Sequence, residues 1–126
     1  MKLIASHQHL SALQRRHVLA LANDVDPRTV SLDGILRIDL HFPTFTDGRA
    51  LSQAYLLRRR LGFKGQIRAT GDVLADQLPQ IRRCGFSAAV LRADQDLAIA
   101  QRQLGYFSAH YQGDADTVQA HFLKAA

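Results

Sequence analysis

Residues 41–86 read HFPTFTDGRALSQAYLLRRRLGFKGQIRATGDVLADQLPQIRRCGF. The order of signals in this stretch decides the fold. A short apolar run closes at Phe42-Pro43, Thr46-Asp47-Gly48-Arg49 turns the chain into a helix, and Gly62-Phe63 ends that helix. The pattern then repeats, with a strand at 66–69, a turn at Thr70-Gly71-Asp72 and a second helix ending at Gly85-Phe86. Aspartate is a favoured helix N-cap, so Asp47 is expected to start the first helix. Ala50, Ala54, Leu57 and Leu61 recur at the spacing of one helical stripe, and Gly62 supplies the left-handed residue that stops it. In the second helix Leu74, Gln77, Leu78, Ile81 and Cys84 keep helical spacing around Pro79. Proline is tolerated in the first turn, where its missing N–H costs almost nothing. The regular helix is therefore placed from about Asp76, after a lead-in turn at 72–75.

Working outward, residues 35–42 alternate: Leu36, Ile38, Leu40 and Phe42 share one face, and Arg37, Asp39 and His41 the other. Further upstream, the short apolar run at 17–22 before a turn cluster is read as a strand. Asp26-Pro27 is read as a cap with proline at the first helical position, opening a helical turn near 29–32, and residues 6–14 as a short helix. Downstream come a core strand at 88–91 and a helix capped by Asp94 and running to about residue 104. Residues 106–112 are open between strand and turn, and 114–123 have weak helical character. Helices between strands imply a parallel sheet. The expected fold is α/β, a single domain over residues 1–126. It is a small parallel βα-repeat sheet resembling part of a (β/α) barrel. The polar face of the 35–42 strand is unusual in a parallel sheet, which normally covers both faces. It either lines a site or is covered by terminal segments or a second subunit, and a homodimer is the expected completion.

Composition narrows the function classes. A chain of 126 residues with 47% apolar and 21% charged side chains has room for one modest core. No apolar run approaches membrane-spanning length, the start is too short for a secretory signal, and Cys84 is the single cysteine, so a cytoplasmic setting is expected. One thiol cannot hold an iron–sulfur cluster or form a CxxC pair, and no GxGxxG follows a strand. No bound cofactor or metal is expected. Net charge is +5, with arginine dominating lysine, which suits carboxylates and small oxyanions. Nucleic acid is not expected, because the basic runs lack interleaved aromatics and no DNA-binding motif is present.

Ligands of open α/β sheets bind beyond the carboxyl ends of the strands, where helix N-termini favour anions. The loops there carry Asp47, Gly48 and Arg49, then Gly71 and Asp72, then Arg92. With Arg68 on the strand between them, these make the candidate anion- or ligand-binding set. The aspartates have an alternative role as caps paired to the arginines. His41, with Asp39 on its strand face, and Asp72 are the weak candidates for acid–base catalysis. Arg58-Arg59-Arg60 fan around a helix end, since successive residues point about 100° apart, and read as a solvated face or a contact for an acidic protein. Cys84 falls on the apolar stripe and reads as a small core residue.

Phe42-Pro43, Phe45-Thr46-Asp47-Gly48-Arg49, Ser52, Leu57-Arg58, Gly62-Phe63, Gly65, Arg68-Ala69, Gly71-Asp72-Val73-Leu74, Asp76-Gln77 and Arg83-Cys84-Gly85-Phe86 together resemble the bacterial domain-of-unknown-function family nine-three-four, over about residues 17–112. That family is typically encoded beside the sulfite reductase haemoprotein and is often labelled as oxidoreductases of sulfite reduction. The resemblance implies an uncharacterised accessory protein of assimilatory sulfite reduction. It would bind a partner reductase or a small oxyanion at the arginine-lined rim. The alternative is a small enzyme, oxidoreductase or other, acting on an oxyanion at the same rim.

Overall fold

A computed structural model describes residues 1–9 and 17–110, the side chains of Gln103 and of residues 106–110 excepted. Five strands, β1 (Lys2–Ile4), β2 (Val18–Leu21), β3 (Arg37–Phe42), β4 (Gln66–Gly71) and β5 (Ala88–Val90), form one sheet in the order β1-β5-β4-β3-β2. Every pairing is parallel. The helices are α1 (Arg49–Arg59), α2 (Leu78–Arg83) and α3 (Leu97–His110). The α/β class is as the alternation of signals implied. β1 lies outside the expected pattern, because three residues are too few to display a period.

The register sorts side chains onto two unlike faces. Leu21, Leu40, Ala69 and Ala89 lie in one row, and Leu19, Ile38 and Ile67 in the next. This face meets Ala50, Ala54 and Leu57 of α1, Leu78 and Ile81 of α2, and Ala100 and Leu104 of α3 in one continuous core. Phe42 and Phe86 stack obliquely there, ring centroids 5.8 Å apart. Each large side chain fully buried in such a core contributes about 1.5–3 kcal/mol. The opposite face carries Arg37, Asp39 and Arg68, all buried, with a small apolar corner of Ile4, Ala88 and Val90. Between β1 and β2 the chain passes from one edge of the sheet to the other. His9 of this connection lies over β3 and β4, against Asp39 and Arg68.

Several local expectations shift. β3 begins at Arg37, and Leu36, expected on the inner stripe, is 66% exposed just before the first pairing. Leu61 lies beyond the end of α1 and is also exposed. The turn after Asp26 is a 3-10 helix at Pro27–Thr29, with the Asp26 side chain accepting from Arg28 N–H. Asp94 does not cap α3. That part falls to Asp96, which accepts from the N–H groups of Ala98 and Ile99. Pro79 occupies the first turn of α2, after a 3-10 turn at Ala75–Gln77. The 3-10 turn Ser6–Gln8 opens the segment expected as a helix to residue 14; residues 10–14 of that expectation lie outside the described residues. Of 106–112, residues 106–110 belong to α3, and the rest, with 114–123, lie outside the described residues. Among the described residues no helix is long and apolar enough to cross a membrane.

At the amino end of the sheet, Gly85 has φ +108°, and a Cβ there would lie 2.5 Å from Arg58 Cγ. The Arg58 side chain fills that space. Its guanidinium donates to the carbonyls of Gly85, Phe63 and Gly65 at 2.9, 2.8 and 2.7 Å. Arg58 thus ties the exit of α1 to the exit of α2 and is a structural clamp, not part of a solvated basic face.

Candidate functional site

The carboxyl ends of β2, β3, β4 and β5 open into four loops, and side chains latch each loop to the next. Asn23, after β2, donates to Asp47, after β3, at 2.7 Å. Asp72, after β4, accepts the Phe45 N–H at 2.8 Å, and Gln77 returns a hydrogen bond to the Phe45 carbonyl. Arg92, after β5, donates to Asp72 at 2.7 Å, and Gln95 accepts from Ala75 N–H at 2.9 Å. Beneath the rim, buried Gln53 of α1 holds the carbonyls of Ala22 and Val25, both at 2.8 Å. The rim is a chain of reciprocal contacts across four loops.

Its charges are matched in place. Arg49 reaches back two residues to Asp47 with contacts down to 2.8 Å, and the same carboxylate accepts the Arg49 N–H. Gly48, one residue on, occupies the N-cap position of α1 that Asp47 was expected to take. Arg92 grips Asp94 with two nitrogens at 2.7 Å while its third reaches Asp72. These contacts hold the acids ionised. Arg92 lowers Asp94 to about 2. Arg92 and then the Phe45 N–H depress Asp72, and the Arg49 side chain and N–H hold Asp47 far below the usual carboxylate range. Asp94, then Asp72, in turn raise Arg92. As carboxylates held in the charged form, they act as acceptors and not as proton donors near neutrality.

The residues marked from sequence fall into two places. Asp47, Gly48, Arg49, Gly71, Asp72 and Arg92 belong to the rim. Arg68 does not reach it: its side chain lies on the polar sheet face, within 3.1 Å of His9 Nδ1 and 3.2 Å of Gln66 Oε1. His41 is exposed at the carboxyl end of that face, its ring packed on Gly71, where a Cβ would lie 2.6 Å from the imidazole. Asp39, on the same strand face as His41, is engaged by Arg37 at 2.8 and 3.1 Å.

That inner cluster fixes the state of His9. A guanidinium has no acceptor, so His9 Nδ1 must accept from Arg68, which leaves the proton on Nε2, 3.8 Å from Asp39 Oδ2. Burial lowers the His9 pKa below the ordinary 6.5, and Arg68 and Arg37 add to this while Asp39 opposes it. The thiol of Cys84 is pushed up by burial and only partly countered by Arg83, so it is a poor nucleophile. Among the described residues, no three His, Cys, Asp or Glu side chains are grouped to hold a metal ion.

Sequence reasoning did not anticipate the parts played by Asn23, Gln95 and His9. For the ion pairs, by contrast, spacing was a signal: Asp26/Arg28, Arg37/Asp39, Asp47/Arg49 and Arg92/Asp94 are all two residues apart and all pair.

The family described as "Bacterial protein of unknown function (DUF934)" matches residues 18–122. The chain belongs to that family. The match takes in β2 to α3, and so every loop of the rim, but not β1 or His9. The family resemblance over 17–112 therefore holds, and the match runs on to residue 122. No curated protein and no solved structure matches the chain.

Proposed function

We propose that this DUF934 protein is a non-catalytic accessory of assimilatory sulfite reduction in the cytoplasm, presenting the carboxyl-end rim to a partner reductase. The observation that carries the reading is the rim itself. Four loops are latched together by their own side chains, leaving the side chains of Arg49 and Arg92 61% and 43% exposed in fixed positions. A preorganised surface of alternating charges suits protein recognition, because little side-chain freedom remains to be lost on binding. Rim carboxylates that stay ionised near neutrality are poorly suited to general-acid work. The sulfite setting rests on the family resemblance and the partner on the surface.

The test is genetic and physical. Deleting the gene is expected to slow growth on sulfate and leave growth on cysteine normal. The tagged chain should recover the sulfite reductase haemoprotein from sulfate-starved cells, and the Asp72→Ala/Arg92→Ala double variant should recover less. Equal growth of the deletion strain on both sulfur sources would remove the sulfite role. Calorimetry with sulfite and sulfate is expected to show no heat of binding; a saturable isotherm lost in Arg49→Ala/Arg92→Ala would replace the partner reading with an oxyanion site.

A further inference from the structure

An amphipathic helix normally has one apolar stripe; α1 has two. Ala50, Ala54 and Leu57 face the sheet with no exposure at all. Leu51, Tyr55 and Leu56 instead wall a groove of about 670 Å³ whose far side is Gln80 and Cys84 of α2. The groove begins at Gly48, on the rim, and ends at Arg60. At 1.5 Å per residue, the twelve steps between them span about 18 Å, or roughly three helical turns.

Its chemistry is one-sided. The floor is aliphatic, Tyr55 is 46% exposed, the Arg59 guanidinium lies over the Tyr55 ring at 5.3 Å, and Arg60 closes the end. None of the described residues that line it is acidic. We propose that this groove is the seat of an acidic amphipathic helix from a partner protein, with apolar residues against Leu51, Tyr55 and Leu56 and carboxylates reaching Arg60 and Arg59.

Two-helix grooves take a third helix through anchors one and two turns apart, and the length fits such a segment. Exposed tyrosine with an adjacent arginine is the composition of an interface anchor, and a cationic end with no acid among the described lining residues selects an anionic occupant. A second copy of this chain is a poor occupant. None of its described helices α1, α2 and α3 contains an acidic residue that could meet Arg60 and Arg59. The inference extends the partner-binding reading and rests on it only in taking the occupant to be a protein.

Cys84, the single cysteine, reports on the groove it lines. The probes are two synthetic helices with the same leucine pattern, one with glutamate and one with lysine on the polar face. The glutamate peptide is expected to slow alkylation of Cys84 by N-ethylmaleimide about fivefold or more, and the lysine peptide not to. Arg60→Glu should weaken the glutamate peptide about tenfold, and Tyr55→Ala should weaken it as well. Both side chains are exposed, so both variants should melt like the parent. The proposal is overturned by absence of protection, by equal protection from both peptides, by an Arg60→Glu variant that binds unchanged, or by protection that rises with protein concentration alone, which would make a second copy the occupant. Normal growth of the deletion strain on sulfate alongside peptide protection would remove the sulfite role and leave the groove standing. Absence of peptide protection alongside slow growth of the deletion strain on sulfate would do the reverse.

Discussion

Arg37–Asp39 and Arg49–Asp47 are the same two side chains, two residues apart, meeting at the same 2.8 Å. The first pair lies on the sheet under the N-terminal segment with side chains 9% and 5% exposed; the second stands on the rim at 61% and 21%. The same closest approach therefore carries very different weight. On the sheet face each charge has left water and is held by its partner. On the rim, solvent already does most of what the partner does. Burial, not distance, separates a structural ion pair from a surface one, and each substitution below tests that separation.

The largest effect belongs to the sheet. Asp39→Ala removes the carboxylate that Arg37 grips on the buried sheet face, beneath His9 and beside Arg68, and is expected to cost about 3–5 kcal/mol in urea unfolding, a large part of a small domain's stability. Replacing both members with apolar residues of similar volume, Arg37→Met with Asp39→Leu, should recover most of that loss. A single variant that unfolds at the parental midpoint would mean that the face is wetter than its exposure implies.

Next is Arg58, whose guanidinium spans three backbone carbonyls. Arg58→Ala removes donors from three carbonyls and the packing on Phe63, with an expected loss of about 2–4 kcal/mol. Arg59→Ala and Arg60→Ala, its neighbours, should change the midpoint little. This ranking was not legible in Arg58-Arg59-Arg60 as a run, because three adjacent arginines differ only in which direction the helix aims them. What was legible depended on short-range rules: Pro79 in a first turn, Gly62 and Gly85 at helix exits, and the polar alternation of β3. What was not depended on partners far along the chain. Arg68 meets a histidine 59 positions away, Leu36 alternates correctly but precedes the pairing, and β1 acquires strand character only by lying beside β5. The candidate site was half legible for the same reason. The loops were placed, but of the arginines read as a ligand-binding set, Arg49 and Arg92 are held by aspartates two residues away and Arg68 lies on the sheet face.

A smaller effect tests the cover over the buried pair. His9 is held neutral, and its folded pKa lies below the unfolded value of 6.5. The unfolded state therefore binds the proton first, so the contribution is fully present above about pH 6.5 and is lost as pH falls through the folded pKa. Melting temperature should fall between pH 7 and pH 5, and His9→Gln should flatten that part of the profile. An unchanged slope in the variant would assign the decline to other groups.

The smallest effect is expected on the rim. Asp47→Asn keeps the shape and the contact with Asn23 while discarding the charge that Arg49 faces. The Asp47 carboxyl titrates below its ordinary 3.8, so any stabilisation it supplies is complete above that value and is lost only as pH falls through the folded pKa. Between pH 5 and 8 the parent and Asp47→Asn should therefore melt at nearly the same temperature with a constant offset. Because the pair is exposed, raising the salt to about 0.5 M should shrink even that offset, whereas the cost of Asp39→Ala should persist at the same salt. Hydrogen exchange at the Arg49 N–H, which Asp47 accepts, should quicken locally without any global change. If Asp47→Asn instead unfolds the chain as readily as Asp39→Ala, burial is not what distinguishes the two pairs, and the rim's latches would have to be counted as part of the fold rather than as a surface built upon it.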